Sequence, residues 1–158
     1  MGTQFRWSFF MYAAAMALIV LSLSHSSMVV SGAYYKKIQV VLYNMLEPGK
    51  NLHVHCKSKD DDLGDHVIGY YQNYTWSFHD NLFSSTLFWC RMDWTRTGGS
   101  TVSGSFEIYH AKRDLYRCSS FCAWGIREDG LFVFNRDTGE WDYFFGWPSN
   151  SKGAGMKP

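Results

Sequence analysis

The residues best equipped for chemistry fall in "CKSKDDDLGDH", Cys56 to His66, where four aspartates, two lysines and a histidine share eleven positions. Carboxylate oxygens at this density are what a calcium ion takes as ligands. An EF-hand loop needs a glycine at its sixth position and a bidentate glutamate at its twelfth. Counted from Asp60, those places hold Asp65 and Tyr71, and the glycine comes one position early, at Gly64. The EF-hand pattern fails. The stretch reads instead as a solvated turn: Asp and Gly favour turns, charged side chains rarely bury, and Lys57 and Lys59 offset part of the charge.

The histidines His53, His55, His66, His79 and His110 are the next candidates. In "NLHVHC" apolar and polar residues alternate, so His53 and His55 share one face of a half-buried strand. Two histidines at that spacing hold zinc only with a third ligand, such as His66 or an aspartate, and a second shell. The alternation places them on the solvent face. No GxSxG elbow is present, and no acid–base pair or cofactor motif is visible. The expectation is a binding protein with no catalytic, metal or cofactor residue, not an enzyme. One N-glycosylation sequon, "NYT", makes Asn73 an acceptor.

The elements that must position these residues are strands. "KIQVVLYN", "NLHVHC", "YTWSFH", "TLFWCRMDW", "GSFEIYH", "CAWGIRED", "LFVFN" and "EWDYFFGW" are rich in aromatic or β-branched residues. Most are bounded by Gly, Asn or Asp. No segment sustains a helical period with caps. The fold class is all-β: a small antiparallel β-sandwich of about eight strands. Seven Trp, ten Tyr and twelve Phe against three Pro indicate a filled core. Trp76, Trp89 and Trp124 sit within strand patterns and are expected in that core. Trp94, Trp141 and Trp147 lie near strand ends and are expected at exposed contacts.

Four cysteines, Cys56, Cys90, Cys118 and Cys122, are spaced 34, 28 and 4 apart. An even count with only one close pair reads as two disulfides rather than a zinc site. Three pairings are possible. The expectation is the nested one, Cys56–Cys122 and Cys90–Cys118, whose loops contribute about 4 kcal/mol each on the chain-entropy argument.

Residues 1–32 read as a secretory signal peptide: Arg6 leads into the apolar run "FFMYAAAMALIVLSL", and small residues follow, with cleavage between 26 and 33. The run is short for a membrane span, so no membrane insertion is expected once the signal is removed. Residues 33–150 form one domain, and 151–158 a flexible tail. Without Arg6, fourteen Lys and Arg balance fourteen Asp and Glu. That neutrality argues against a nucleic-acid partner, which needs a basic surface.

Taken together, "VHCKSKDDDLG" after a first strand, "TLFWCRMDW", "RCSSFCAWGIREDGLF" and the terminal aromatic run resemble the plant self-incompatibility protein family, the S-protein homologues. The resemblance runs from about Lys37 to Trp147 and includes all four cysteines. It implies a small secreted plant protein with a signal peptide, an antiparallel β-sandwich and two disulfides, and the Asn73 sequon adds the expectation of a glycoprotein. In poppies, a family member secreted by the stigma is the determinant that pollen reads. By that resemblance the chain is expected to be a secreted, extracellular signalling ligand for a plasma-membrane receptor protein in reproductive tissue. The expected contacts lie in two loops. One is Lys59–Asp65, with Lys59, Asp60, Asp61, Asp62 and Asp65. The other is "DWTRTGGST", with Asp93, Trp94 and Arg96. The alternative is a secreted cell-wall carbohydrate-binding module using Trp94 and Trp141.

Overall fold

The computed structural model describes residues 36–81 and 84–148. The expected signal peptide, residues 1–32, and the tail, 151–158, lie outside the described residues.

Alternation dictates the first strand, β1 (Lys37–Asn44): Ile38, Val40 and Leu42 point inward and are fully buried. Burying each such side chain stabilises the fold by roughly 1.5–3 kcal/mol. The same pattern builds β2 (Leu52–Lys57), β4 (Asn73–His79), β5 (Leu87–Thr95) and β6 (Thr101–His110), whereas β7 (Phe121–Arg127) and β8 (Gly130–Phe134) bury consecutive residues and β9 (Trp141–Phe145) is only partly buried. These are the eight strands the sequence announces. A ninth, β3 (Asp62–Ile68), occupies a stretch whose composition reads as a solvated turn. Only Ser58–Asp61 turns. There the Ser58 N–H donates to the Asp61 carbonyl, and the Ser58 hydroxyl accepts from the N–H groups of Asp60 and Asp61.

The strands form a five-stranded sheet, β4-β1-β7-β8-β9, and a four-stranded sheet, β3-β2-β5-β6. Their inner faces share one core, in which Trp76 meets Phe88, Phe78 meets Tyr109 and Phe106 meets Phe145 across the gap. All pairings are antiparallel except β1 with β7, which run parallel from Gln39↔Phe121 to Asn44↔Ile126. Trp76 and Trp124 are core residues, as expected. Trp89 is not. It sits on the outer face of β5, because its inward neighbours Phe88 and Cys90 set the phase.

A short helix, α1 (Ala111–Arg117), joins β6 to β7. Seven residues are too few to show a helical period. The helix is held by Asp114, which has no solvent exposure and accepts the His110 N–H at 2.8 Å and Arg113 Nε at 2.9 Å. Arg117 Nε donates to the same carboxylate at 2.8 Å, and its guanidinium lies 5.1 Å over the Trp124 ring. Burial pushes the Asp114 carboxyl up. The Arg113 and His110 hydrogen bonds and both arginine charges outweigh that and hold it below the usual carboxylate range.

The disulfides correct the nested pairing. Cys56 bonds Cys90 and Cys118 bonds Cys122. Cys56 and Cys90 face each other directly on neighbouring strands, with Cα atoms 4.0 Å apart. Cys118 ends α1, and Ser119 at φ 55° reverses the chain so that Cys122 returns to within 5.0 Å, Cα to Cα. Both bridges therefore lie within local geometry, and neither links the two sheets.

Candidate functional site

The outer face of the four-stranded sheet carries the charged side chains that alternation turns away from the core. Register sets them in rows. Val67 of β3 opposes His53 of β2, which opposes Asp93 of β5; Asp65 opposes His55, which opposes Arg91 and then Ser105 of β6. Lys57 opposes Trp89, which opposes Glu107. All of these except Glu107 line an open cleft of about 630 Å³.

His55 anchors one side of the cleft. The β2–β3 ladder shifts register between His55 and Lys57, and this irregularity brings two aspartates to one imidazole. Its Nε2 lies 2.6 Å from Asp62 and its Nδ1 2.9 Å from Asp65. With an acceptor at each nitrogen, the doubly protonated ring satisfies both contacts. The Asp62 hydrogen bond is the main cause that raises the His55 pKa, with burial opposing it. Asp62 is lowered, first by the Gly64 N–H and then by His55. Gly64 at φ 76° bends β3 so that its N–H donates to Asp62 at 2.9 Å.

The expected contact residues divide by position. Asp62 and Asp65 meet on His55. Asp93 lies on the same sheet face. Lys59, Asp60 and Asp61 are exposed at the β2–β3 turn. Arg96 lies in the exposed β5–β6 loop at the other end of the sheet, closed by the Arg96 N–H to the Ser100 carbonyl. Trp94 is corrected: it is 1% exposed, faces inward from β5 and packs on Trp147. Its position within β5 rather than in a loop puts it in phase with Cys90 and Met92. Trp141 is half-buried on the outer face of the other sheet, against Tyr43 and Phe134. Asn73 is exposed at the start of edge strand β4. His55 pairs with two aspartates rather than with His53, and Arg91, Lys57 and Trp89 join it on this face without having been expected there. Alternation gives their outward phase, but register, which alternation does not give, makes them neighbours.

A two-sheet β-fold closed by two local disulfides, with a polar cleft on one sheet face, defines the class. The model of the plant self-incompatibility protein S1 family matches residues 39–147, and the chain belongs to that family. S-protein homolog 24 of Arabidopsis thaliana is 40% identical over 96 residues, 61% of this chain and 61% of that protein. Self-incompatibility protein S1 of Papaver rhoeas is 34% identical over 115 residues, 72% of this chain and 80% of that protein. The chain spans about three fifths of the length of the Arabidopsis homologs 24 and 27, 61% and 60%. A solved structure of SPH proteins, described as small, highly stable, secreted proteins from plants, aligns with a TM-score of 0.49 at 21% identity. That alignment covers 73% of this chain and 93% of the other.

Proposed function

We propose that the chain is a secreted extracellular ligand recognised by a receptor protein on another cell, through the outer face of the four-stranded sheet. The observation that carries this reading is the cleft itself: exposed ionic side chains on two adjacent strands, fixed by the Cys56–Cys90 bridge beneath them. The signal-like leader and the two disulfides support export to an oxidising compartment. The name of the Papaver relative supports a role in cell recognition. A binding role also fits the chemistry of His55. Both ring nitrogens are committed to carboxylates, which leaves neither free to take a proton from a substrate.

Labelled recombinant protein should bind intact pollen or stigma cells saturably, and protease treatment of the cells should abolish the binding. Binding that survives protease would defeat the receptor reading. Asn73 carries the glycan in this account. Its exposed place at a sheet edge leaves room for one, and glycosidase should increase the mobility of protein from the native source.

A further inference from the structure

We infer that the outer face of the five-stranded sheet is a platform for the glycan on Asn73, with Tyr43 stacking on the first sugar and Trp141 and Tyr143 on those that follow. It rests on the reading of Asn73 as glycosylated, and it lies on the other sheet from the receptor face. Register makes the platform. Asn73 opposes Tyr43, Tyr43 opposes Gly125, Gly125 opposes Phe132 and Phe132 opposes Tyr143, one row across all five strands. Residues opposite one another share a face, and this row faces outward because its neighbours Leu42, Trp124 and Val133 are in the core. Gly125 leaves room in the middle of the row, and Trp141 takes it: a Cβ on Gly125 would come within 3.2 Å of the indole. Between ring centres, Trp141 lies 6.1 Å from Tyr43 and 5.3 Å from Phe134, and Phe132 lies 5.4 Å from Tyr143. Aromatic surface thus continues from the neighbour of Asn73 to the sheet edge, where Tyr143 is 59% exposed. With strands about 4.8 Å apart, the row runs roughly 19 Å.

The chemistry of the face selects its occupant. Its charges are peripheral: Lys37 and His79 oppose each other at the far end of β1 and β4, and Arg127 lies 4.3 Å over the Phe132 ring. Beside the aromatic row stand Gln39, Thr75 and Ser77, exposed and neutral hydrogen-bonding side chains. A neutral pyranose chain complements both kinds of group, with C–H faces for the rings and hydroxyls for the amide and hydroxyl side chains. Tethering then favours the chain's own glycan over a free one. Its attachment point is one strand spacing from Tyr43, so stacking is intramolecular and proceeds at high effective concentration. Tyr71 is the rival ring: it is 77% exposed, lies two residues before Asn73 and holds φ 59° in the β3–β4 turn.

The test uses protein secreted by plant cells, with its disulfides and glycan, and mass spectrometry establishes the sugar on Asn73. By NMR, protons of the first two sugar residues should be displaced upfield by ring currents relative to the same glycan free in solution. This readout needs no variant. Asn73→Gln should lower Tm by about 3 °C or more, and by less than half as much in a Tyr43→Ser background. In refolded protein without a glycan, Asn73→Gln should leave Tm unchanged, which assigns the loss to the sugar; an equal loss there would overturn the platform. Sugar protons at their free-glycan positions would overturn it while leaving Asn73 a glycosylation site. A secreted protein with no sugar at Asn73 would overturn both. Upfield shifts abolished by Tyr71→Ser and retained in Tyr43→Ser would place the contact at the β3–β4 turn and overturn the platform as well.

Discussion

Asp114 carries a negative charge into the core at α1, and two guanidiniums and a backbone N–H answer it. Among the described residues, removing the charge leaves Arg117 without a counterion and Arg113 with only Glu107, 3.9 Å away. Asp114→Asn should therefore cost roughly 3–5 kcal/mol, read from urea unfolding, because breaking one partner of a buried pair strands the other. A change below ~1 kcal/mol would show that the arginines find water instead. His55 sets a pH window. Its folded pKa is raised above the ordinary 6.5, so its clamp contributes fully below that value and is lost as pH rises through the raised one. Asp62 is lowered from 3.8, so its contribution is present above that value and is lost as pH falls through the lowered one. The difference in Tm between wild type and His55→Gln should be largest between those limits and shrink toward alkaline pH. A constant difference up to strongly alkaline pH would remove the clamp. The sequence shows a histidine on a solvent face and a run of aspartates. It does not show that a register shift turns two of them onto one ring.

At the scale of elements, eight strands are readable from their aromatic and β-branched runs, which alternate in burial in β2, β4 and β5 and are buried continuously in β7 and β8. β3 is not, since only Ile68 among its seven residues is buried and Gly64 breaks its run. Its pairing to β2, with the His55 clamp, supplies what its own pattern lacks. α1 escapes for a different reason: its helical state is fixed by Asp114 and by packing at Ala111 rather than by a repeating apolar stripe. The cysteine pairing also depends on tertiary placement. Cys56 and Cys90 become neighbours only when β2 and β5 pair. Non-reducing peptide mapping should recover Cys56–Cys90 and Cys118–Cys122, and a Cys56–Cys122 peptide would contradict the fold. On the loop-entropy argument, deleting the first bridge should cost about 3.8 kcal/mol and the second, which closes a far shorter loop, about 2 kcal/mol. The order of the two costs is the firmer expectation, because it follows from separations of 34 and 4 residues.

In the whole molecule, the two disulfides and the shared aromatic core hold the sheets, and the surface is left to recognition. The two loops expected to make contacts lie at opposite ends of the four-stranded sheet, so no small patch uses both. The face between them joins the ends, and it is there that Arg91, Lys57 and the His55 clamp gather. The all-β architecture and the family were readable from the sequence. The face was not, because it consists of residues from separate strands brought side by side. Competition on intact pollen or stigma cells tests the central claim. Unlabelled wild type should displace labelled protein, while Arg91→Glu/Lys57→Glu should need at least ~100-fold more, as the loss of two charge-assisted contacts implies. Equal displacement by this variant, folded by circular dichroism, would place recognition elsewhere on the molecule and contradict the account.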